Sequence, residues 1–104
     1  MSNAGIDKKH LPTVRWDILR TLRVGGHKGA TEGMIREVVL DGWMLATQKL
    51  IRDELHYLEA RGLIEIEKSE LLQWRCKLTR YGYDLADYQV ECEDGIRRPP
   101  YHDS

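Results

Sequence analysis

QKLIRDELHYLEARGLIEIEK, residues 48–68, carries two periodicities in one short run. Up to about Arg61, the apolar residues Ile51, Leu55 and Leu58 repeat at four and three, the spacing of one buried helical stripe. Thr47 is placed to cap the start of this helix and Gly62 to close its end. After Gly62 the period falls to two: Ile64 and Ile66 point one way, Glu65 and Glu67 the other, as in a half-buried strand. A helix braced on one side therefore offers Gln48, Lys49, Arg52 and His56 on the rest of its surface.

The flanking segments complete an order. LPTVRWDILRTLRVGG reads as a first helix, with Pro12 in its first turn, Val14, Ile18 and Leu22 on one stripe with Leu19 beside it, and Gly25-Gly26 at its end. A second, shorter helix follows a loop. Thr31 is its N-cap, Ile35, Val38 and Val39 its inward residues, and Asp41-Gly42 its stop. Trp43, Met44 and Leu45 make an apolar turn into the helix of residues 48–61. QWRCKLT alternates Trp74, Cys76 and Leu78 inward against Gln73, Arg75 and Lys77 outward, so it pairs with LIEIEK as an antiparallel hairpin. Thr79 caps a last helix, RYGYDLADYQ, with Tyr81, Leu85 and Tyr88 along one side. Three helices, a hairpin and a helix make an α+β, mainly helical domain, in which a short second helix, a tight turn and a longer third helix form a helix-turn-helix.

The sequence has 104 residues, 41% apolar and 32% charged, which suits one small globular domain. The domain is expected over residues 11–90, between a flexible N-terminus of residues 1–10, whose MSNAG reads as partly an expression scar, and an extended acidic tail of residues 91–104. That tail reads either as a disordered end or as an arm docking on a partner chain, since Ile96 and two arginines interrupt its acidic, proline-bearing sequence. No apolar run approaches the ~20 residues needed to span a bilayer, no signal-peptide pattern opens the chain, and two cysteines make no disulfide framework, so a cytoplasmic protein is expected.

Net charge is −1, but it is unevenly spread. Residues 1–30 hold six basic and two acidic side chains, and residues 84–104 hold two basic and six acidic, so the body up to Tyr83 is +3. That balance fits a specific DNA contact better than general coating of DNA. Gln48, Lys49, Arg52 and His56 are the candidate reading residues: glutamine pairs bidentately with adenine, arginine or lysine with guanine. Against this, residues 47–61 hold three basic and three acidic side chains, as an ordinary solvated face would. Lys28, with Lys8, Lys9, Arg15, Arg20 and Arg23, is a candidate phosphate contact.

The histidines at 10, 27, 56 and 102 and the cysteines at 76 and 92 have no metal-ligand spacing, no nucleophile has a base nearby in sequence, and no glycine loop resembles a phosphate cradle. No metal, cofactor or enzymatic activity is expected. Cys76 reads as a core side chain and Cys92 as a free thiol. Trp16, Tyr81, Tyr83 and Tyr88 exceed what one apolar stripe needs, so they either fold over the core or join two copies into a homodimer, which would present two reading helices to successive major grooves.

The paired motifs resemble those of winged-helix DNA-binding regulators. Leu55, Leu58, Glu59, Gly62 and Leu63 fit a Leu-Xaa-Xaa-Leu-Glu-Xaa-Xaa-Gly-Leu pattern that ends a recognition helix in those proteins. Leu78, Thr79, Gly82, Leu85 and Ala86 fit a Leu-Thr-Xaa-Xaa-Gly-Xaa-Xaa-Leu-Ala pattern that follows the wing. Across residues 11–100, including Gly95-Ile96-Arg97-Arg98-Pro99, the chain looks most like small winged-helix proteins of Mu-like bacteriophages and prophages, whose function is unassigned. The resemblance implies a winged helix-turn-helix that binds double-stranded DNA. Two departures count against metal sensing and against minor-groove contacts by the wing: the third helix lacks the cysteines of metal-sensing repressors, and the tip KSELLQ has one lysine, one glutamate and two leucines where many wings carry Arg or Lys. Leu71, Leu72 and the near-zero net charge point to the alternative, a module that binds a protein partner without DNA.

Overall fold

The computed structural model describes residues 7–43 and 45–101; Met44 of the expected apolar turn, His102 and residues 1–6 lie outside them. A 3-10 turn, Lys8–His10, leads into α1 (Leu11–Gly25), and a second, Gly26–Lys28, leads into a two-residue strand β1 (Ala30–Thr31). Then come α2 (Glu32–Gly42), α3 (Gln48–Ala60), β2 (Ile64–Glu67), β3 (Arg75–Leu78) and α4 (Arg80–Ala86). The strands form an antiparallel sheet in the order β1-β3-β2, with Ile64 opposite Leu78, Ile66 opposite Cys76, and Ala30 also opposite Cys76.

Each expected threonine caps its helix. The hydroxyl oxygens of Thr31, Thr47 and Thr79 accept from the amides of Met34, Leu50 and Gly82. At the end of α3, Gly62 takes φ +75° while Gly62 N bonds Glu59 O and Leu63 N bonds Leu58 O, a Schellman closure that passes the chain into β2. The core gathers Val14, Ile18, Leu19 and Leu22 of α1, Ile35 and Val39 of α2, Ile51, Leu55 and Leu58 of α3, and Leu63, Ile64, Cys76, Leu78 and Leu85 behind them. Burying each such aliphatic side chain stabilises the fold by about 1.5–3 kcal/mol.

Four details differ from the sequence reading. β1 was not expected, because two residues are too short for an alternation. It pairs because Gly29 (φ +68°) has no Cβ: one there would collide with the carbonyl oxygen of Cys76. Val38 is exposed rather than inward, since Ile35 and Val39 already fill the core side of α2. α4 stops at Ala86 instead of Gln89, because Tyr88 adopts φ +63° and closes a Schellman turn, with Tyr88 N on Leu85 O and Gln89 N on Asp84 O.

The fourth is the tail, whose residues 91–101 pack back onto the body of their own chain. Ile96 is 5% exposed and belongs to the core. Arg97 N donates to Pro12 O, and Arg98 Nη1 donates to the carbonyls of Leu85 and Val90. Arg15 Nη1 donates to Gly95 O, and the Tyr88 hydroxyl to Pro99 O. Ile96 and the Arg98 side chain, with the backbone of Arg97, are its anchors onto α1 and α4.

Candidate nucleic-acid interface

α3 is held from three sides. Its apolar stripe enters the core. Behind it, Glu54 is buried and accepts from Arg15 Nε at 2.6 Å, while the Arg15 guanidinium stacks 3.6 Å from the centre of the Tyr57 ring. In front, Arg52 donates from Nε and Nη2 to the two carboxylate oxygens of Glu32, each at 2.7 Å.

Glu32 is the hub of that front contact. It opens α2, is 4% exposed, and also accepts from the Trp74 amide at 3.0 Å, while its own amide donates to Trp74 O at 2.8 Å. The Arg52 hydrogen bonds hold its carboxyl below the ordinary carboxylate range, against the upward push of burial, and the Trp74 amide works in the same direction. Arg52 also lies 4.1 Å from the Trp74 ring centre, Lys68 Nζ 5.2 Å from it, and the His56 ring packs edge-on at 5.4 Å. One carboxylate thus ties together α2, α3 and the first residue of the returning hairpin arm. A charge-assisted cluster of this kind is rigid.

The expected reading residues separate on this geometry. Gln48 and Lys49 are exposed in the first turn of α3, and Lys49 Nζ lies 2.8 Å from Asp53, one turn on. Arg52 is engaged within the chain: two of its three guanidinium nitrogens bond Glu32. His56 is exposed, with its ring against Trp74 and its Nδ1 3.5 Å from Glu59. Gln48, Arg52, Lys68, Leu71, Leu72, Gln73 and Trp74 line one open groove between α3 and the hairpin, with Glu32 at its floor. Lys28 lines a different depression, over the sheet beside Glu65, Glu67 and Arg75.

Among the candidate phosphate contacts, Lys8 and Lys9 are exposed, Arg15 is spent on Glu54 and the tail, Arg20 pairs with Asp17, and Arg23 pairs with Asp87. The aromatic set is engaged within the chain. The Tyr81 hydroxyl donates to Glu93 at 2.6 Å, Tyr83 lies under Arg23, and Tyr88 sits between Trp16 and Tyr101. Sequence reasoning missed Glu32, Lys68 and Trp74 as site residues. Glu32 follows an N-cap threonine, where an acid is ordinary, and nothing local marks it as buried. Among the described residues, no group of three or more His, Cys, Asp or Glu could hold a metal ion, and no helix is long and apolar enough to cross a membrane.

No protein-family model matches the sequence, and no curated protein matches it at a significant level. Solved structures do match. A candidate DNA-binding protein from Ralstonia eutropha JMP134 superposes with a TM-score of 0.61 at 21% identity, over 84% of this chain and all of that one. MepR, a transcription regulator of the Staphylococcus aureus multidrug efflux pump MepA, superposes with a TM-score of 0.61 at 18% identity, over 78% of this chain and 63% of its own. With α2 and α3 as the helix-turn-helix, the β2–β3 hairpin as the wing, and these neighbours sharing the arrangement, the chain has the winged-helix fold.

Proposed function

We propose that this chain binds double-stranded DNA through α3, as a small regulator of transcription or an accessory of DNA transactions of phage or prophage type, working in the cytoplasm without a cofactor or catalytic step. The observation that carries the reading is the bracing of α3. Its core stripe, the Arg15–Glu54 pair and the Arg52–Glu32–Trp74 cluster fix the helix, while Gln48 and Lys49 in its first turn stay exposed beside the wing. In a helix-turn-helix the N-terminal residues of the second helix meet base edges. Arg52 enters this reading as the residue that aims α3, and His56 as a contact further along it. Lys28, on another face, is a phosphate contact for a duplex that wraps past the sheet. Both neighbours, by their names, concern DNA or transcription, which supports the same reading.

The test is a titration against a labelled mixed-sequence duplex at several salt concentrations. Affinity should fall steeply with salt through counterion release, and Lys49→Ala should lower the slope by about 1. No binding at low salt removes the reading. A homodimer through the exposed edges of Trp16, Tyr81, Tyr83 and Tyr88 would set two α3 helices on one duplex; a monomeric mass at micromolar concentration, free and DNA-bound, removes that part. The competing reading, a module for a protein partner, is favoured by the exposed Leu71 and Leu72 and by the mixed charge of the α3 face.

A further inference from the structure

The wing tip ends in two leucines that none of the described residues covers: Leu71 is 93% and Leu72 75% exposed. A single exposed leucine is ordinary, but two in succession at the end of a projecting hairpin form a blade. The blade is preformed. Ser69 Oγ accepts from the amides of Leu71 (3.2 Å) and Leu72 (2.9 Å), which folds the turn under both side chains. The returning arm is pinned to the start of α2: Gln73 Oε1 accepts from Gly33 N at 2.8 Å, Trp74 O accepts from Glu32 N, and the Trp74 amide donates to the Glu32 carboxylate. Little ordering is therefore needed on contact.

Charge decides what such a blade suits. Residues 68–73 hold one lysine and one glutamate, so the tip gains little by neutralising phosphates. What it offers is apolar surface, with Lys68 packed on Trp74 at its base. The two leucines line the same groove as Gln48 and Arg52, so a duplex held on α3 runs directly into them. Proteins that enter the minor groove commonly push apolar side chains between base steps, unstacking them and bending the duplex toward the major groove.

We propose that the wing inserts Leu71 and Leu72 into the minor groove next to the major groove occupied by α3, opens a base step there and bends the DNA. The inference rests on the reading of the chain as a duplex binder. It names its preferred substrate as DNA with a pyrimidine–purine step, TA or CA/TG, facing the wing, because those steps kink most easily.

The experiment is energy transfer between dyes at the two ends of duplexes of about 30 base pairs, with and without a central TA step, for the full chain and for the Leu71→Ala/Leu72→Ala double variant. Wild type should shorten the end-to-end distance, most on the TA duplex. The double variant should bind with the same salt slope, having lost no charge, but without the shortening or the TA preference. Both leucines are exposed, so the variant's urea midpoint should match wild type and confirm that it folds. Binding by wild type without shortening, or equal shortening by the variant, overturns the wedge and leaves the leucines to a protein partner. Failure of wild type to bind any duplex at low salt overturns the DNA reading itself, and the wedge with it.

Discussion

Replacing Glu32 with alanine removes a carboxylate that joins α2, α3 and the wing. Three donors lose their acceptor: Arg52 Nε and Nη2, each at 2.7 Å, and the Trp74 amide at 3.0 Å. The guanidinium is partly solvated and recovers water, whereas Trp74, just before β3, is half-buried. Leaving such a donor unpaired costs about 1–3 kcal/mol, and losing a buried, paired carboxylate brings the expected total for Glu32→Ala to about 2–4 kcal/mol. For a domain of this size that is a fall in Tm of roughly 8–20 °C. Urea unfolding followed by tryptophan fluorescence reads it as a lower midpoint at unchanged slope. The pH dependence supplies a second check. The Glu32 carboxyl is held low in the fold, so its contribution is complete above the ordinary carboxylate range, about 4.3, and is lost as pH falls through the lower folded value. The gap between wild type and Glu32→Ala should therefore be constant near neutrality and shrink below about pH 4. A midpoint shift worth less than about 0.5 kcal/mol, the range of a neutral surface change, would refute the view of Glu32 as a structural hub. A gap that widened in acid would refute the sign of the linkage.

Three further outcomes follow from particular contacts. Gly29→Ala should destabilise the fold by at least about 1–3 kcal/mol from backbone strain alone, because φ is +68° there and the new Cβ meets Cys76 O; circular dichroism melts report it. Ile96→Ala should cost about 2 kcal/mol or more and open residues 91–101 to proteolysis, while a free tail would show neither effect. Burial pushes the Cys76 thiol up to about 12, so a thiol reagent at pH 8 should modify Cys92 alone in the native protein and both cysteines in urea; two fast equivalents without denaturant would contradict the packing.

Helix starts and caps, though not the end of α4, were legible in the chain because their determinants are local. Thr31, Thr47 and Thr79 act on amides three residues away, and Gly62 closes α3 through bonds to Glu59 and Leu58. The stripe of Ile51, Leu55 and Leu58 and the alternation in β2 and β3 were equally readable, since a periodic apolar pattern needs only one neighbour to be buried against. The motif pair around Gly62 and Gly82 was enough to imply the fold that the solved structures share. Of the groove beside α3, the sequence singled out Gln48, Arg52, Leu71 and Leu72 but not Glu32, Lys68 or Trp74.

Contacts between distant positions were decided by the tertiary structure. Arg52 shares its helical spacing with Lys49 and His56, and nothing in that spacing foretells the carboxylate twenty positions away that pairs with its guanidinium. Arg15 looked like the wet side of α1, yet Glu54 and Gly95 claim it from 39 and 80 positions away. The acidic tail reads as solvated by composition, but Ile96 and Arg98 find a place only after α1 and α4 have created it. By itself the sequence determined the helices, their caps, the hairpin and a face on α3. The packed chain decided which cations stay free, because burying Glu32 and Glu54 requires a partner for each, and only the arginines that the fold brings beside them can serve.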